Sequence, residues 1–329
     1  MASFGILIYR AGSTAGVELC LNRAPGRLYL PTGFDKKRPL EYVETILSAQ
    51  SMRDWTLSKV LKGESIALVP TMGALHPGHL ALVEKAAQTA DRVVVSIFVN
   101  PTQFGPSEDF GAYPRNLNED VAKLAKQGLT DVVFAPDVEQ IYPFEDNFSW
   151  VQVAHMGDYL CGASREGHFR GVTTVVSRLF AIVRPDFAVF GLKDAQQFFI
   201  LSRMTREMGF DTQLVGVETV REEDGLALSS RNRYLTPGER AQATVLSRSV
   251  ALARNLIEHQ GERSAQIILS SMESIIGEAS EGRQDYVSIV DTLDLQPVAS
   301  LQAGQTVLAA VAVYFGKARL IDNAIVEVK

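Results

Sequence analysis

Short apolar runs alternate with helix-like periodic segments from Ser65 onward, and this alternation constrains the fold more than any other feature of the sequence. It is typical of βαβ units, in which parallel strands form a sheet with helices packed on it. Strands are predicted at residues 66–69, 92–99, 131–135, 186–190 and 212–217. Helices are predicted at residues 78–90, 116–127, 172–183 and 195–208. The sequence therefore predicts an α/β protein with a doubly wound, mostly parallel sheet.

The predicted sheet also indicates where a site should form. In doubly wound sheets, ligands bind beyond the carboxyl ends of the strands. The loops that follow Val69, Val99 and Phe190 are therefore predicted to lie on one face, and their polar residues are the first candidates for binding and catalysis.

The pattern changes after about Val220, which indicates a second domain. Thr236, Pro237 and Glu239 form a helix start signal, with Thr as the N-cap, Pro in the first turn and Glu three residues after the cap. Helices are predicted up to about residue 278, and strands follow at 286–290, 305–314 and 319–321. We therefore expect a smaller α+β domain at the C-terminal end.

Composition excludes several classes of partner. The chain has 32 Lys and Arg against 38 Asp and Glu, a formal charge of −6, which argues against a nucleic-acid surface. Its apolar runs are far shorter than the roughly 20 residues that span a bilayer. Cys20 and Cys161 have neither metal-ligand spacing nor a disulfide framework, which fits a reducing compartment. We expect a cytoplasmic protein without nucleic-acid or membrane partners.

The N-terminal segment does not resemble a signal peptide. Residues 1–11 are apolar but lack a preceding positively charged region and a small-residue cleavage site. Arg10, Arg23 and Arg27, with scattered Ser and Thr, leave a transit peptide as the alternative.

The segment PTMGALHPGH, from Pro70 to His79, leaves a predicted strand, turns through glycines and enters a predicted helix. Helix N-termini present free N–H groups to anions, and His76 and His79 would add hydrogen bonds to a phosphate. Gly78 would let the backbone approach a nucleotide, and Gly73 would ease the turn. An isolated HxGH match is more often a pair of surface histidines, but the strand–turn–helix context favours a nucleotide site. The arrangement resembles the nucleotidylyl-transferase superfamily and the adenylating aminoacyl-tRNA synthetases.

Two further segments carry groups suited to phosphates. In GLKDAQQ, Lys193 is a point charge for a phosphate, while Asp194 and Gln197 would orient polar substrate groups. The alternative is a loop lysine beside a capping aspartate. In SSRN, the hydroxyls of Ser229 and Ser230 and the guanidinium of Arg231 would surround a triphosphate; the alternative is a polar interdomain loop.

A fourth set of residues suits a small hydroxy acid. Asn100 and Gln103 follow a predicted strand and carry amide groups that can hydrogen-bond hydroxyl and carboxylate oxygens. The segment at residues 165–171 is basic and contains two glycines.

The succession VPTMGALHPGH, VSIFVNPTQF, GHFRGVTTVVSRLF, FGLKDAQQ, DGLALSSRNRYL and ARLIDN resembles that of the pantothenate synthetases, over residues 43–329. The resemblance implies a Rossmann-like domain at 43–219 that binds ATP and pantoate, a smaller lid domain at 220–329 and an N-terminal extension of unknown role at 1–42. It also implies Mg²⁺ with ATP, a homodimer, and condensation of pantoate with β-alanine through a pantoyl-adenylate, with release of AMP and pyrophosphate.

The same resemblance implies roles for individual residues. Contacts to ATP are implied for Pro70, Thr71, Met72, Gly73, His76, Gly78, His79, Gly191, Lys193, Asp194, Val220, Ser229, Ser230 and Arg231. The catalytic groups among them are implied to be His76, His79, Lys193, Ser229, Ser230 and Arg231. Substrate contacts are implied for Met72, Asn100, Gln103, Tyr113 and Gln197. Asp120 matches an acidic position near the magnesium.

Two residues depart from the family pattern and leave alternatives open. Leu192 replaces an acidic residue before the lysine, and Ala195 replaces an aromatic residue after the aspartate. Loss of the carboxylate would remove an orienting group near Lys193, and loss of the ring would open space beside the pocket. These two residues suggest, as one alternative, a catalytically degraded homologue that acts as a binding protein. The other alternative is another HxGH nucleotidylyl transferase, which the HxGH segment alone would permit.

Overall fold

The computed structural model describes residues 8–9, 43–105, 110–146 and 149–329. In this part of the chain, seven parallel strands form one sheet. They are β1 (Ile8–Tyr9), β2 (Glu44–Ile46), β3 (Ile66–Thr71), β4 (Arg92–Ile97), β5 (Val132–Phe134), β6 (Phe187–Gly191) and β7 (Gln213–Val217). The accompanying helices are α1 (Ala49–Val60), α2 (Pro77–Thr89), α3 (Leu117–Gln127), α4 (Val138–Ile141), α5 (His168–Val183) and α6 (Ala195–Glu207). The predicted α/β class with a doubly wound parallel sheet is confirmed.

The strand order identifies the point at which a ligand should bind. The order is β1-β7-β6-β3-β4-β5-β2, so the chain first winds outward from β3 through β4 to β5 and later returns to place β6 on the other side of β3. This reversal between β3 and β6 is the topological switch point of a Rossmann-like sheet. The HxGH segment follows β3, and the GLKDAQQ segment begins at the end of β6. Two of the predicted motifs therefore leave the sheet at its switch point.

Local sequence signals explain why α2 and α3 begin where they do. His76 is extended and caps α2, with Pro77 in the first turn, where a missing N–H costs nothing. Asn116 caps α3 by accepting the N–H of Glu119, and Gly128 ends that helix in a left-handed conformation. The sheet and α2 share one apolar core, which includes Val69, Val95, Val133, Val189, Val215, Leu82, Val83 and Ala86.

The chain divides into two compact units. Among the described residues, the first unit extends to Gln152 and includes Gly167–Leu192 and Leu201–Glu218. The second unit consists of Val153–Glu166, Lys193–Ile200 and Thr219–Lys329. The domain boundaries at residues 42/43 and 219/220 stay predictions.

The second unit contains a three-stranded antiparallel sheet. Its elements are α7 (Pro237–Gln242), α8 (Val245–Glu258), α9 (Ala265–Ile276), β8 (Gly282–Asp291), β9 (Thr306–Phe315) and β10 (Ala318–Glu327). The predicted helix start at Thr236 is confirmed, because Thr236 and Glu239 form a reciprocal capping box. The strand predicted at residues 319–321 is too short, since alternate residues of β10 remain buried as far as Val326. None of the helices in the described part of the chain is both long and apolar enough to cross a membrane.

Candidate active site

The turn after β3 is held in an unusual backbone conformation by a buried carboxylate. Gly73 has φ of 82° and Ala74 has φ of 51°, and a non-glycine residue in the left-handed region costs about 1–2 kcal/mol. Asp120 of α3 is only 2% exposed. Its two oxygens accept the N–H groups of Ala74 and Leu75, each at 2.8 Å. These charge-assisted hydrogen bonds stabilise the turn that leads to the histidines.

The turn delivers two histidine rings to the N-terminus of α2. Nδ1 of His76 accepts the N–H of Gly78 at 3.1 Å, and Nδ1 of His79 accepts the N–H of His76 at 3.3 Å. The ring centroids are 4.0 Å apart. Since each Nδ1 is an acceptor, a neutral ring carries its proton on Nε2, the nitrogen that would donate to a phosphate.

Gly78 is required by the histidine itself. A Cβ at this position would lie 2.8 Å from Cε1 of His76, a separation that forces the ring or the backbone to move. Sequence analysis explained Gly78 by a close approach of nucleotide, whereas the structure gives a reason within the motif.

We expect Asp120→Asn to lower the free energy of unfolding by about 2–3 kcal/mol, because an amide cannot accept both N–H groups and turns its own donors toward one of them. Chemical denaturation of the variant measures this loss. A matched variant is Glu119→Gln, whose carboxylate is exposed on the same helix and pairs with Lys123. If Asp120 acts chiefly as a metal ligand, Asp120→Asn will instead shift the Mg²⁺ dependence of activity and leave stability near that of the Glu119 variant.

Three of the predicted substrate residues are in contact beyond the ends of β3 and β4. Nε2 of Gln103 donates to Sδ of Met72 at 3.2 Å, and Oε1 of Gln103 accepts Nδ2 of Asn100 at 3.0 Å. Asn100 is 1% exposed, and its Oδ1 accepts the hydroxyls of Thr102 and Tyr142 at 3.0 and 2.8 Å. The buried Asn100 side chain therefore orients the Gln103 amide through this hydrogen bond. The predicted contact between Asn100 and substrate stays a prediction.

Tyr142 is a member of this network that sequence analysis missed. Burial raises the pKa of Tyr142, so its phenol keeps the proton that it donates to Asn100. The predicted substrate residue Tyr113 lies in an aromatic group with Phe104, at a centroid distance of 5.8 Å. Phe104 also contacts Phe110 at 5.3 Å.

The start of α5 supports the same turn through a close backbone approach. A Cβ on Gly171 would lie 2.3 Å from the carbonyl oxygen of Thr102 and 2.7 Å from Cα of Gln103. Nδ1 of His168 is 2.8 Å from the carbonyl oxygen of Gln103. The predicted helix at residues 172–183 therefore starts earlier, at His168, because its first turn packs against the Gln103 turn.

We expect Gly171→Ala to destabilise the protein by about 1–3 kcal/mol, the usual cost of overpacking, and to displace Gln103. The KM for the predicted substrate pantoate should then rise more than the KM for the predicted co-substrate ATP. Gly111→Ala is the matched control, because a Cβ at Gly111 meets nothing within 4 Å. Identical kinetics and melting for the two variants would contradict this account of Gly171.

The two departures from the family pattern are buried positions. Leu192 is 4% exposed, and a Cβ on Gly216 of β7 would lie 2.7 Å from its Cδ2. Its side chain therefore lies flat against the β7 backbone, where a carboxylate would be costly. Ala195, in the second unit, is also buried.

In the second unit, Lys193 and Ser229 line one small cleft. Ser229 follows a short hairpin, in which Leu228 N donates to Val220 O at 2.9 Å and Glu222 N donates to Leu226 O at 2.8 Å. The hairpin connects the predicted residues Val220 and Ser229. Ser230 and Arg231 are exposed, and so is Asp194, while Gln197 is half-buried.

A network of ion pairs fixes this hairpin. Nδ2 of Asn232 donates to Oε1 of Glu222 at 2.8 Å and to the carbonyl of Ala227 at 3.1 Å. Arg240 of α7 donates to Glu222 and Asp224 at 2.7 and 2.6 Å, and these bonds hold the pKa of both carboxyl groups below the usual range. The loop that carries Ser229 is thus tied to α7 by charges that persist at neutral pH.

The family model described as Pantoate-beta-alanine ligase matches residues 44–325. The chain belongs to this ligase family. A pantothenate synthetase from Salinibacter ruber is 51% identical over 295 residues, which cover 88% of this chain and 98% of the relative. One from Heliobacterium modesticaldum is 52% identical over 283 residues, 86% of this chain and 99% of the relative. The predicted family, and with it the prediction of an enzyme that is a pantoate–β-alanine ligase, is confirmed.

Solved structures of the ligase family share this fold. Pantothenate synthetase from Thermus thermophilus has a TM-score of 0.78 and 46% identity, and covers 87% of this chain and 100% of its own. The ligase from Francisella tularensis, complexed with beta-gamma ATP and β-alanine, has a TM-score of 0.68 and 31% identity. The match covers 86% of this chain and 97% of the Francisella chain. The roles predicted for individual site residues of this ligase are not tested by these similarities and stay predictions.

Proposed function

We propose that this ligase uses ATP to convert pantoate into a pantoyl-adenylate and then transfers the pantoyl group to β-alanine. The observation that carries the proposal is the pairing of an anion-binding helix start with an amide pocket in the first unit. His76 and His79 lie at the start of α2, and Gln103 contacts Met72 of the same motif. Membership in the ligase family and the nucleotide bound to the Francisella enzyme support it.

The chemistry needs two displacements and no enzyme nucleophile. A pantoate carboxylate oxygen attacks the α-phosphorus, the bond from that phosphorus to the bridging oxygen breaks, and pyrophosphate leaves. The amine of β-alanine then attacks the pantoyl carbonyl, loses a proton, and AMP leaves with an oxygen that came from pantoate. The protein's contribution is to position the reactants and to stabilise the charge that develops.

Each group of residues has a role in this scheme. Nε2–H of His76 and of His79 would donate to ATP phosphate oxygens as negative charge grows at the α-phosphorus. Met72 and Gln103, oriented by Asn100, would bind pantoate together with Gln197. Further phosphate contacts would come from Lys193, Ser229, Ser230 and Arg231, and the remaining pocket positions are Pro70, Thr71, Gly73, Gly78, Tyr113, Gly191, Asp194 and Val220.

The residues of the site suit an Mg²⁺ ion that is held mainly by the nucleotide. Mg²⁺ in phosphoryl-transfer sites is usually bound by one or two carboxylates plus substrate phosphates. Within the described ranges, no group of three or more His, Cys, Asp or Glu side chains is arranged to hold a metal. Asp120 already accepts two backbone N–H groups. Mg²⁺ bound to ATP would neutralise charge on the departing pyrophosphate, and Asp120 remains the residue proposed to lie near it.

The experiment is to measure AMP and pyrophosphate released by purified protein with ATP and Mg²⁺, first with pantoate alone and then with pantoate and β-alanine. We expect sustained release of both products, in equal amounts, only when both substrates are present. A nucleotide-linked product would support a nucleotidylyl transferase instead. Binding of ATP without turnover would support the degraded homologue and make Leu192 the first residue to revert.

The family resemblance supports a proposal on assembly, and the cysteine usage supports one on location. We propose a homodimer, which multi-angle light scattering would detect as twice the mass of one chain, and a cytoplasmic location. A single-chain mass at working concentration would contradict the first, and import of a tagged protein into an organelle would contradict the second and favour a transit peptide at residues 1–42.

A further inference from the structure

Strand β10 contains a carboxylate in a row of apolar side chains. Leu320, Ala324 and Val326 belong to the apolar core of the second unit, and Asp322 lies in the same alternating register at 2% exposure. An unpaired carboxylate in such a position would be very costly. The motif ARLIDN, which ends in this residue and Asn323, has so far no assigned role.

The negative charge of Asp322 is paired with an arginine, Arg221, from the hairpin that precedes Ser229. Nη1 and Nη2 of Arg221 donate to the two carboxylate oxygens at 2.7 and 2.9 Å, in the bidentate geometry that favours Arg. Nη1 of Arg221 also donates to the carbonyl of Gly225 at 2.9 Å, at the tip of the hairpin. The Asp322 side chain is fully buried while that of Arg221 is 32% exposed, and a carboxylate buried for such a pair is seldom better for stability than an apolar residue of the same volume. Its presence in an apolar register therefore indicates a role in geometry.

Asn323 makes a second connection from the opposite face of the strand. Its Nδ2 donates to the carbonyl oxygen of Lys193 at 2.9 Å, and its own N–H donates to Oδ1 of Asp322 at 2.8 Å. Asp322 lines the same small cleft as Lys193 and Ser229. Two adjacent residues of β10 thus hold two separate segments of the second unit.

We infer that Asp322 and Asn323 are positioning residues of the ligase reaction, which set the spacing between the Lys193 ammonium and the Ser229 hydroxyl. Asn323 acts through the Lys193 backbone, and Asp322 acts through Arg221 and the hairpin. The inference rests on the proposed function, in which Lys193 and Ser229 contact the phosphates of ATP. A displacement of about 1 Å in such a site can cost up to about a hundredfold in rate.

The test is a double-mutant cycle of Asn323→Ala and Lys193→Ala, with kcat, the KM for ATP and the KM for pantoate measured for AMP formation. We expect Asn323→Ala to lower kcat/KM for ATP by at least about tenfold, with the KM for pantoate within about twofold of the original. In the Lys193→Ala background, removal of Asn323 should cost much less, because the group that it positions is gone. Asn323 is the primary variant because its side chain lies on the half-exposed face of β10.

Asp285→Asn is the matched control for damage to the sheet. Asp285 accepts Nε and Nη2 of Arg319, also on β10, at 2.9 and 2.7 Å. We expect this control to lower the melting temperature and to leave kcat/KM for ATP unchanged, whereas Asp322→Asn should lower both.

The outcomes separate the inference from the proposed function. The inference would be overturned if Asn323→Ala had normal kinetics, or if the losses in kcat/KM of Asn323→Ala and Lys193→Ala were fully additive. In either case, a strongly impaired Lys193→Ala would still support the proposed function. An unimpaired Lys193→Ala would overturn both. Equal losses of kcat/KM in Asp285→Asn and Asn323→Ala would mean that the β10 residues contribute only to the stability of the sheet.

Discussion

Replacement of Lys193 by Ala is expected to lower the rate of AMP formation by about 100-fold or more, with the fold intact. Removal of a single charged or hydrogen-bonding group that stabilises a transition state commonly costs about 10²–10³ in kcat. Lys193 is the second residue after β6, is half-buried, and has its carbonyl oxygen hydrogen-bonded by Asn323. Its ammonium would oppose the charge that accumulates on departing pyrophosphate. The loss should therefore appear mainly in kcat and be measurable as initial rates of AMP release.

The control for Lys193 is Lys317→Ala, which removes an equal charge from an exposed turn of the second unit. We expect its rate to equal that of the unmodified enzyme, and both variants to melt within a few degrees of it. Near-normal turnover of the Lys193→Ala enzyme would contradict a role for Lys193 in the reaction.

The second large effect is expected at the histidine pair, where substitutions can separate capping from catalysis. Asn at position 76 can still cap α2, since Asn is among the best N-cap residues. Gln at position 79 can still accept the N-cap N–H, as Gln does in a capping box. The Asn amide is too short to place a donor where the imidazole Nε2 lies, and neither amide can take up a proton as an imidazole can when charge develops on the phosphate. We therefore expect His76→Asn and His79→Gln to retain the melting temperature and each to lose about 100-fold in the rate of adenylate formation.

The same positions changed to Ala provide the comparison. His76→Ala should lose activity and also about 1 kcal/mol of stability, because the cap of α2 is lost. If His76→Asn and His79→Gln are as active as the unmodified enzyme, the histidines serve the helix start and not the reaction.

Much of the first unit could be predicted from the sequence because its strands are buried on both faces. β3, β4 and β6 are continuous apolar runs, and the helices between them carry clear caps at His76 and Asn116. β2 and α1 were missed because their pattern is weak. The buried residues of α1 are Ala49, Met52 and Thr56, while Leu57 and Leu61 are 52% and 78% exposed.

In the candidate site, the motifs predicted the functional residues, and those roles stay predictions, but the motifs did not show which other residues orient them. Asp120 was predicted to lie near the magnesium, which stays a prediction. The sequence did not show that its oxygens also accept the N–H groups of Ala74 and Leu75, a contact between distant parts of the chain. Tyr142 supports Gln103 through its hydrogen bond to Asn100, and Gly171 does so through a close backbone approach. No local pattern encodes either contact. Asp322 left a signal, since an acidic residue in an apolar register demands a partner. That partner, Arg221, could be found only in three dimensions.

Pantoate labelled with oxygen-18 in its carboxylate reveals whether pantoate's own oxygen attacks the α-phosphorus of ATP. Incubation with ATP, Mg²⁺ and β-alanine should give AMP that carries one labelled oxygen in its phosphate, while pyrophosphate stays unlabelled. Mass spectrometry of the two products reads this out. Unlabelled AMP alongside pantothenate, or label in pyrophosphate or inorganic phosphate, would contradict the pantoyl-adenylate and with it the roles proposed for His76, His79 and Lys193.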